Sequence, residues 1–240
     1  MKLSPRLKYA LVGFSAVVIA VVGGLWAEQS WKYAHATPAP AAPDNLVLHV
    51  DRGLKPEDLV TLQAKIEKEK VDIAADIAAG KPDITKVLLL GNLYYEVGDL
   101  ENAALTYRSI LKDHPKDTPS FENLAQVQIE EGDYAGAEQS LRAAVDISAY
   151  EPTYLKLADL IDEHFPARRM EIKGLLESAI GNLGQTPGLL ARLAKWYADQ
   201  GKIDEAISHY EVAHQLDPQD ATITQALLDL RAKKAAQPIE

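Results

Sequence analysis

Residues 84–117 read ITKVLLLGNLYYEVGDLENAALTYRSILKDHPKD, and they decide the fold. Two amphipathic helical patterns flank Gly98-Asp99, and Pro115 closes the second. The plan then returns: Gly132-Asp133 stands 34 residues after Gly98-Asp99, and Ala137 stands 34 after Ala103. A fixed period of this length, with small residues at fixed places, marks a helical hairpin repeated along the chain. One hairpin cannot bury its own apolar face, so each is buried by the next.

Working outward, 118–151 is a second unit, 151–187 an irregular third and 187–220 a fourth. Gly91, Ala125, Ala158 and Ala194 share one place on the first helix of each unit. Ala103, Ala137 and Ala206 share one on the second. Lacking bulk, they let paired helices approach closely, and Ala206→Leu is expected to overpack that contact by about 1–3 kcal/mol. Gly98, Gly132 and Gly201 offer the permissive backbone that a tight turn needs. In the third unit the Gly-Asp turn gives way to His164-Phe165-Pro166-Ala167. Before the array, the region 56–82 holds a helical stretch at 56–79, either one helix or two with a break near Lys70, ended by Gly80-Lys81-Pro82. It reads as a cap over the first unit, with a dimerising helix as the alternative. After the array, 221–240 is a capping helix and tail, with Ile223, Leu227, Leu228 and Leu230 expected to face inward.

The N-terminus has a different character. Residues 1–8 carry Lys2, Arg6 and Lys8, and 9–27 hold no charge. Nineteen helical residues rise about 28 Å, close to the roughly 30 Å core of a bilayer. The preceding cations place residues 1–8 in the cytoplasm and everything after Trp26 on the far side. A cleaved signal peptide is the competing reading, but its apolar region is shorter. Residues 28–55 form a Pro/Ala-rich linker in which ATPAPAAP (36–43) prefers an extended spacer. Leu46–Val50 alternates weakly and has no strand to pair with, so it reads as linker too.

The repeat pattern resembles the tetratricopeptide (TPR) family over 84–220. The implied fold is all-α: a helical-hairpin solenoid of about four repeats plus capping helices, behind one N-terminal transmembrane helix. In that family the first helices line a concave groove that holds protein segments. The resemblance places Leu88, Asn92, Tyr95 and Glu96 there from the first repeat, and Glu122, Asn123, Gln126 and Ile129 from the second. Leu155, Asp159 and Asp162 follow from the third, and Ala191, Arg192, Lys195 and Asp199 from the fourth. Taken singly, each reads equally as solvated polar surface, but Tyr95 and Ile129 are expected to be exposed apolar groups. The groove is expected to have an acidic middle and a basic end at Arg192 and Lys195. Some members grip a chaperone's acidic C-terminus with a Lys/Asn/Asn/Lys/Arg clamp. Asn92 and Asn123 match its two Asn positions, but Leu88 and Pro152 stand where lysines are needed, so that ligand is not expected.

Chemistry is sparse. There is no Cys, which excludes disulfides, thiolate metal sites and covalent haem attachment to this chain. None of the six histidines lies in a metal-binding pattern, and no phosphate-loop or nucleophile-elbow motif occurs. No catalytic residue, metal, cofactor or small-molecule substrate is expected, and the chain does not read as an enzyme. The formal charge is −10, and the first 27 residues contribute +3, so the other 213 carry −13. That field disfavours nucleic acid as a partner. Hydrophobic residues are 47%, enough for a packed core.

The anchor, the pre-repeat helix with LVTLQAKI (59–66), LLGNLYY and the insertion before LLESAI together resemble the membrane-anchored TPR subunits of bacterial cytochrome c maturation. The resemblance implies a single-pass protein of the bacterial inner membrane with a periplasmic repeat domain. That domain would bind the C-terminal region of apocytochrome c for delivery to the haem lyase. The alternative is a structural accessory subunit of another membrane complex, in translocation, secretion or envelope assembly, held by the convex face or by residues 9–27.

Overall fold

Two residues join the helices of the first hairpin, and each has one task. In the computed structural model, which describes residues 46–236, Gly98 has φ +87°. This left-handed turn lets the Gly98 and Asp99 N–H groups donate to the carbonyls of Tyr95 and Tyr94. The Asp99 carboxylate then accepts from the Asn102 N–H at 3.2 Å and caps the next helix. Gly132 (φ +77°) and Asp133 repeat the device, with Asp133 accepting from Gly136 at 2.9 Å. The fourth repeat keeps the glycine turn at Gly201, but Lys202 replaces the Asp and gives no side-chain cap.

Ten α-helices follow among the described residues. They are α1 (Pro56–Ala78), α2 (Ile84–Val97), α3 (Leu100–Asp113), α4 (Thr118–Glu130) and α5 (Tyr134–Ile147), then α6 (Glu151–His164), α7 (Glu171–Leu183), α8 (Pro187–Asp199), α9 (Ile203–Leu216) and α10 (Ala221–Ala235). A short 3₁₀ turn, Pro166–Arg168, lies between α6 and α7. The basic terminus 1–8, the anchor 9–27, the linker's first part 28–45 and residues 237–240 lie outside the described residues. Among the described residues, no helix is long and apolar enough to cross a membrane.

The core runs along the stack in three linked sections. The first joins α1 to α4 through Leu62, Ile66, Leu93, Tyr107 and Val127. The second joins α4 to α8 through Ala125, Leu141, Leu157, Ile172, Leu176 and Trp196. The third joins α8 to α10 through Leu190, Tyr210, Ala213 and Leu227. Helices α4 and α8 each belong to two sections, so every repeat is stabilised by its neighbours. The shared small positions are all buried. A Cβ on Gly91 would lie 2.5 Å from the Tyr107 ring, which fills the space that the other repeats leave to an Ala methyl. Burial pushes the Tyr107 hydroxyl pKa up, and that hydroxyl donates to Asn92 at 2.8 Å.

Helix α1 is continuous, without a break near Lys70, and buries Leu62, Ile66 and Ile73 against the first repeat. On α10 only part of the inward expectation holds. Ile223 and Leu227 are buried and Leu230 packs against their cluster, but Leu228 is exposed. The irregular third repeat is held by charge. Arg168 donates to Glu138 on α5 at 2.8 and 2.6 Å and to Glu171 at 2.8 and 2.9 Å. Arg142 joins the same two carboxylates at 2.7 and 3.0 Å. The Arg168 guanidinium holds the buried Glu138 carboxyl below its usual pKa.

Candidate functional site

Helices α2, α4, α6 and α8 are the first helices of successive hairpins, and their side chains meet across the repeat boundaries. Asn123 donates to Asn92 at 2.9 Å. Tyr95 donates to Glu130, and Thr153 donates to Glu122. Lys156 donates to Gln126 at 3.0 Å. Arg192 donates to Asp159 at 2.7 Å and to Asp162 at 3.0 Å. Most polar side chains singled out from the sequence are therefore partnered one repeat away. They form a ladder that fixes the pitch of the stack, and a ligand must compete with these bonds or use what they leave exposed.

This corrects two expectations. The basic end at Arg192 and Lys195 is not free positive charge. Arg192 is only 9% exposed and lies between two aspartates, and Lys195 bonds Asp162 at 3.3 Å and Asp199 at 2.9 Å. Asp162 is crowded: burial pushes its pKa up, but Arg192, Lys195 and Arg169 together bring it below its usual value. Nor is Tyr95 an open apolar group. It is half-buried, with the Arg52 guanidinium 4.5 Å above its ring. The reason is that residues 46–54, read as plain linker, lie against the array. They form no strand and bend at His49-Val50, while Leu46, Val50 and Leu54 pack on the first core section.

Leu88 is also half-buried in that section, and Glu96 is exposed at its edge. Ile129 is likewise half-buried, packed on the second core section. With Pro152, Leu155, Leu160, Lys156 and His164 it lines a hollow of about 390 Å³. A second hollow of about 480 Å³ is lined by Asp162, Arg169, Lys195, Trp196, Asp199 and Gln200. Asp159 and Glu163 line both, so the two hollows adjoin across α6. One is mostly aliphatic, the other charged. Trp196 holds the pair in register by donating its indole N–H to the Arg169 carbonyl at 2.8 Å.

Several of these residues were missed from the sequence. Glu130 lies four after Gln126, one further turn along the same stripe, and that spacing would have found it. Glu163 sits four after Asp159 in the same way. Trp196 and Arg169 had no such signal, because the irregular turn of the third repeat brings them together. Among the described residues there is no group of three or more His, Asp or Glu side chains placed to hold a metal ion.

Comparison with known proteins agrees with this geometry. The tetratricopeptide repeat model matches residues 88–152 and again 187–220, leaving out most of the irregular third unit. No curated protein matches the chain. Among solved structures, one crystal structure of MamA is similar with TM-score 0.53 and 21% identity, over 63% of this chain and 82% of that one. A second MamA structure gives TM-score 0.53 and 17% identity, over 79% of this chain and 100% of that one. YrrB, described as a TPR protein with an unusual peptide-binding site, gives TM-score 0.52 and 17% identity, over 69% and 84%. At these identities the likeness is one of fold. From residues, geometry and comparisons together, the chain carries tetratricopeptide repeats at 88–152 and 187–220, and its described residues stack as an all-α helical-hairpin solenoid.

Proposed function

We propose that this chain is a protein-interaction scaffold that holds an extended or helical protein segment along α4, α6 and α8. The observation that carries the reading is the pair of adjoining hollows. An aliphatic seat beside Leu155 runs into a charged one beside Asp159 and Glu163. The Glu163 side chain is 72% exposed and Asp159 56%, so acidic groups remain available although most of the ladder is partnered. A segment with an aliphatic residue followed by a cation fits both seats. YrrB, which has the same fold, is described as having a peptide-binding site, and this is consistent with the proposal.

The fuller form of the proposal rests on the sequence. The uncharged run 9–27 anchors the chain in the bacterial inner membrane and sets the repeats on the periplasmic side. The resemblance to cytochrome c maturation subunits makes the C-terminal region of an apocytochrome c the client. A labelled peptide of that region, titrated against the full chain in detergent, tests it. Leu155→Glu is expected to weaken binding about tenfold, near 1.4 kcal/mol, while Glu101→Lys on α3 leaves it unchanged. Equal binding by wild type and Leu155→Glu, with both folded by circular dichroism, would sink the assignment.

A further inference from the structure

The segment 46–54 bends at His49-Val50 and is docked on the first repeat by main-chain bonds and side-chain contacts together. Two successive N–H groups, of His49 and Val50, donate to the Gly98 carbonyl at 2.8 and 3.3 Å. Aliphatic side chains at Leu46, Val50 and Leu54 enter the edge of the first core section. Between them Arg52 reaches the face of the first helices. It stacks on Tyr95 and donates to Glu130 at 2.7 Å and to the Tyr95 carbonyl at 3.3 Å. Main-chain bonds supply grip, aliphatic contacts four residues apart supply register, and a cation over an aromatic face beside a carboxylate supplies specificity.

The cradle is built by the repeats, not by the strap. Tyr95 on α2 donates to Glu130 on α4, and Gln126 donates to the same carboxylate at 3.4 Å. These bonds orient the carboxylate and the ring across a repeat boundary whether or not Arg52 is present. Burial pushes the Glu130 pKa up, but Tyr95 and Arg52 more than reverse it and keep the group ionised. Gly98 also leaves room: a Cβ there would meet the Val50 carbonyl oxygen. The strap is lightly held by comparison. Val47 and Leu48 are exposed, the His49 and Val50 N–H groups share one acceptor, and the Val47 N–H reaches the Asp99 carboxylate only at 3.4 Å. The cradle is continuous with the hollows, since Gln126 is bonded to both Glu130 and Lys156.

We infer that the Tyr95–Glu130 cradle is a docking site for an arginine-bearing segment with flanking aliphatic residues, that the chain's own 46–54 is its resident occupant, and that a partner of the same chemistry enters by displacing it. The inference rests on reading the face of the first helices as the binding surface, and it adds to that reading a gate at the first two repeats. Because the strap is tethered, it competes at high effective concentration, so the closed form masks the cradle until the strap is weakened or a stronger segment arrives.

The test uses the full chain and a labelled synthetic peptide, LVLHVDRGLK, which copies residues 46–55. Fluorescence anisotropy compares wild type with Arg52→Ala and, independently, with Val50→Asp. Both substitutions lie in the strap and leave the repeats untouched. Each is expected to raise affinity for the peptide about tenfold or more. Adding Glu130→Ala to either is expected to remove the gain, and a peptide with Ala at the arginine position is expected not to bind. A gain in neither strap variant, or a gain that survives Glu130→Ala, overturns the inference. Client binding through Leu155 is read separately. If it is present and identical in wild type and both strap variants, the groove reading stands and the gate falls. If the strap variants capture LVLHVDRGLK while Leu155→Glu has no effect on the client, the gate stands and the assignment of the hollows falls.

Discussion

One methyl group distinguishes the glycines of this chain. Gly91 faces the Tyr107 ring, so Gly91→Ala forces that buried side chain to move and is expected to cost about 1–3 kcal/mol in urea unfolding. Gly174, inside α7, has open space where its Cβ would stand, so Gly174→Ala is expected to stabilise by about 0.5–1 kcal/mol. Opposite signs for the same chemical change would verify the packing directly. Gly98 and Gly132 share a left-handed backbone, but only Gly98 meets the strap. Both alanine variants are expected to lose about 1–2 kcal/mol from the backbone alone, and only Gly98→Ala to speed hydrogen exchange at the His49 and Val50 amides. The turn residues were legible because a Gly-Asp pair at a fixed period has a local cause. Arg52 was not, because its carboxylate partner lies 78 positions away and a docked segment of about nine residues leaves no periodicity.

Among the helical hairpins, the third shows what replaces a turn signal. Its missing Gly-Asp pair was visible in the sequence; the charged staple that takes over was not, since Glu138 belongs to the preceding hairpin. Arg168→Ala removes four charge-assisted bonds at once and is expected to destabilise by about 2 kcal/mol. The loss should be concentrated in α6 and α7 when followed by hydrogen exchange. The staple also sets a pH dependence. Arg168 lowers the folded-state pKa of both Glu138 and Glu171. A carboxylate with a lowered folded pKa contributes stability above its unfolded value, about 4.3 for Glu, and loses it as pH falls through the folded value. The melting temperature is therefore expected to fall below about pH 4.3, and less steeply in Glu138→Gln, which starts from a lower melting temperature at neutral pH. The stripe positions on the first helices followed from helical spacing. Their mutual pairing did not, because spacing along one helix is silent about which side chain the next repeat brings opposite.

At the scale of the molecule, three core sections sharing α4 and α8 make the stack a chain of nearest-neighbour contacts. Damage should stay local. Leu227→Ala in α10 is expected to cost about 2–5 kcal/mol and to lower protection in α9 and α10 while leaving α2 and α3 unchanged. Loss of protection throughout would mean a single cooperative unit. The same linear order divides the binding face: a gated cradle at the first two repeats, then the open hollows along α4, α6 and α8. The central claim is that this face holds a protein segment. The most direct measurement places a photo-crosslinking amino acid at Leu155 in the full chain inside the producing cell, with Glu101 on α3 as the control position. The account predicts a discrete protein adduct from Leu155 that Glu101 does not give. No adduct from Leu155, or the same adducts from both positions, would contradict it.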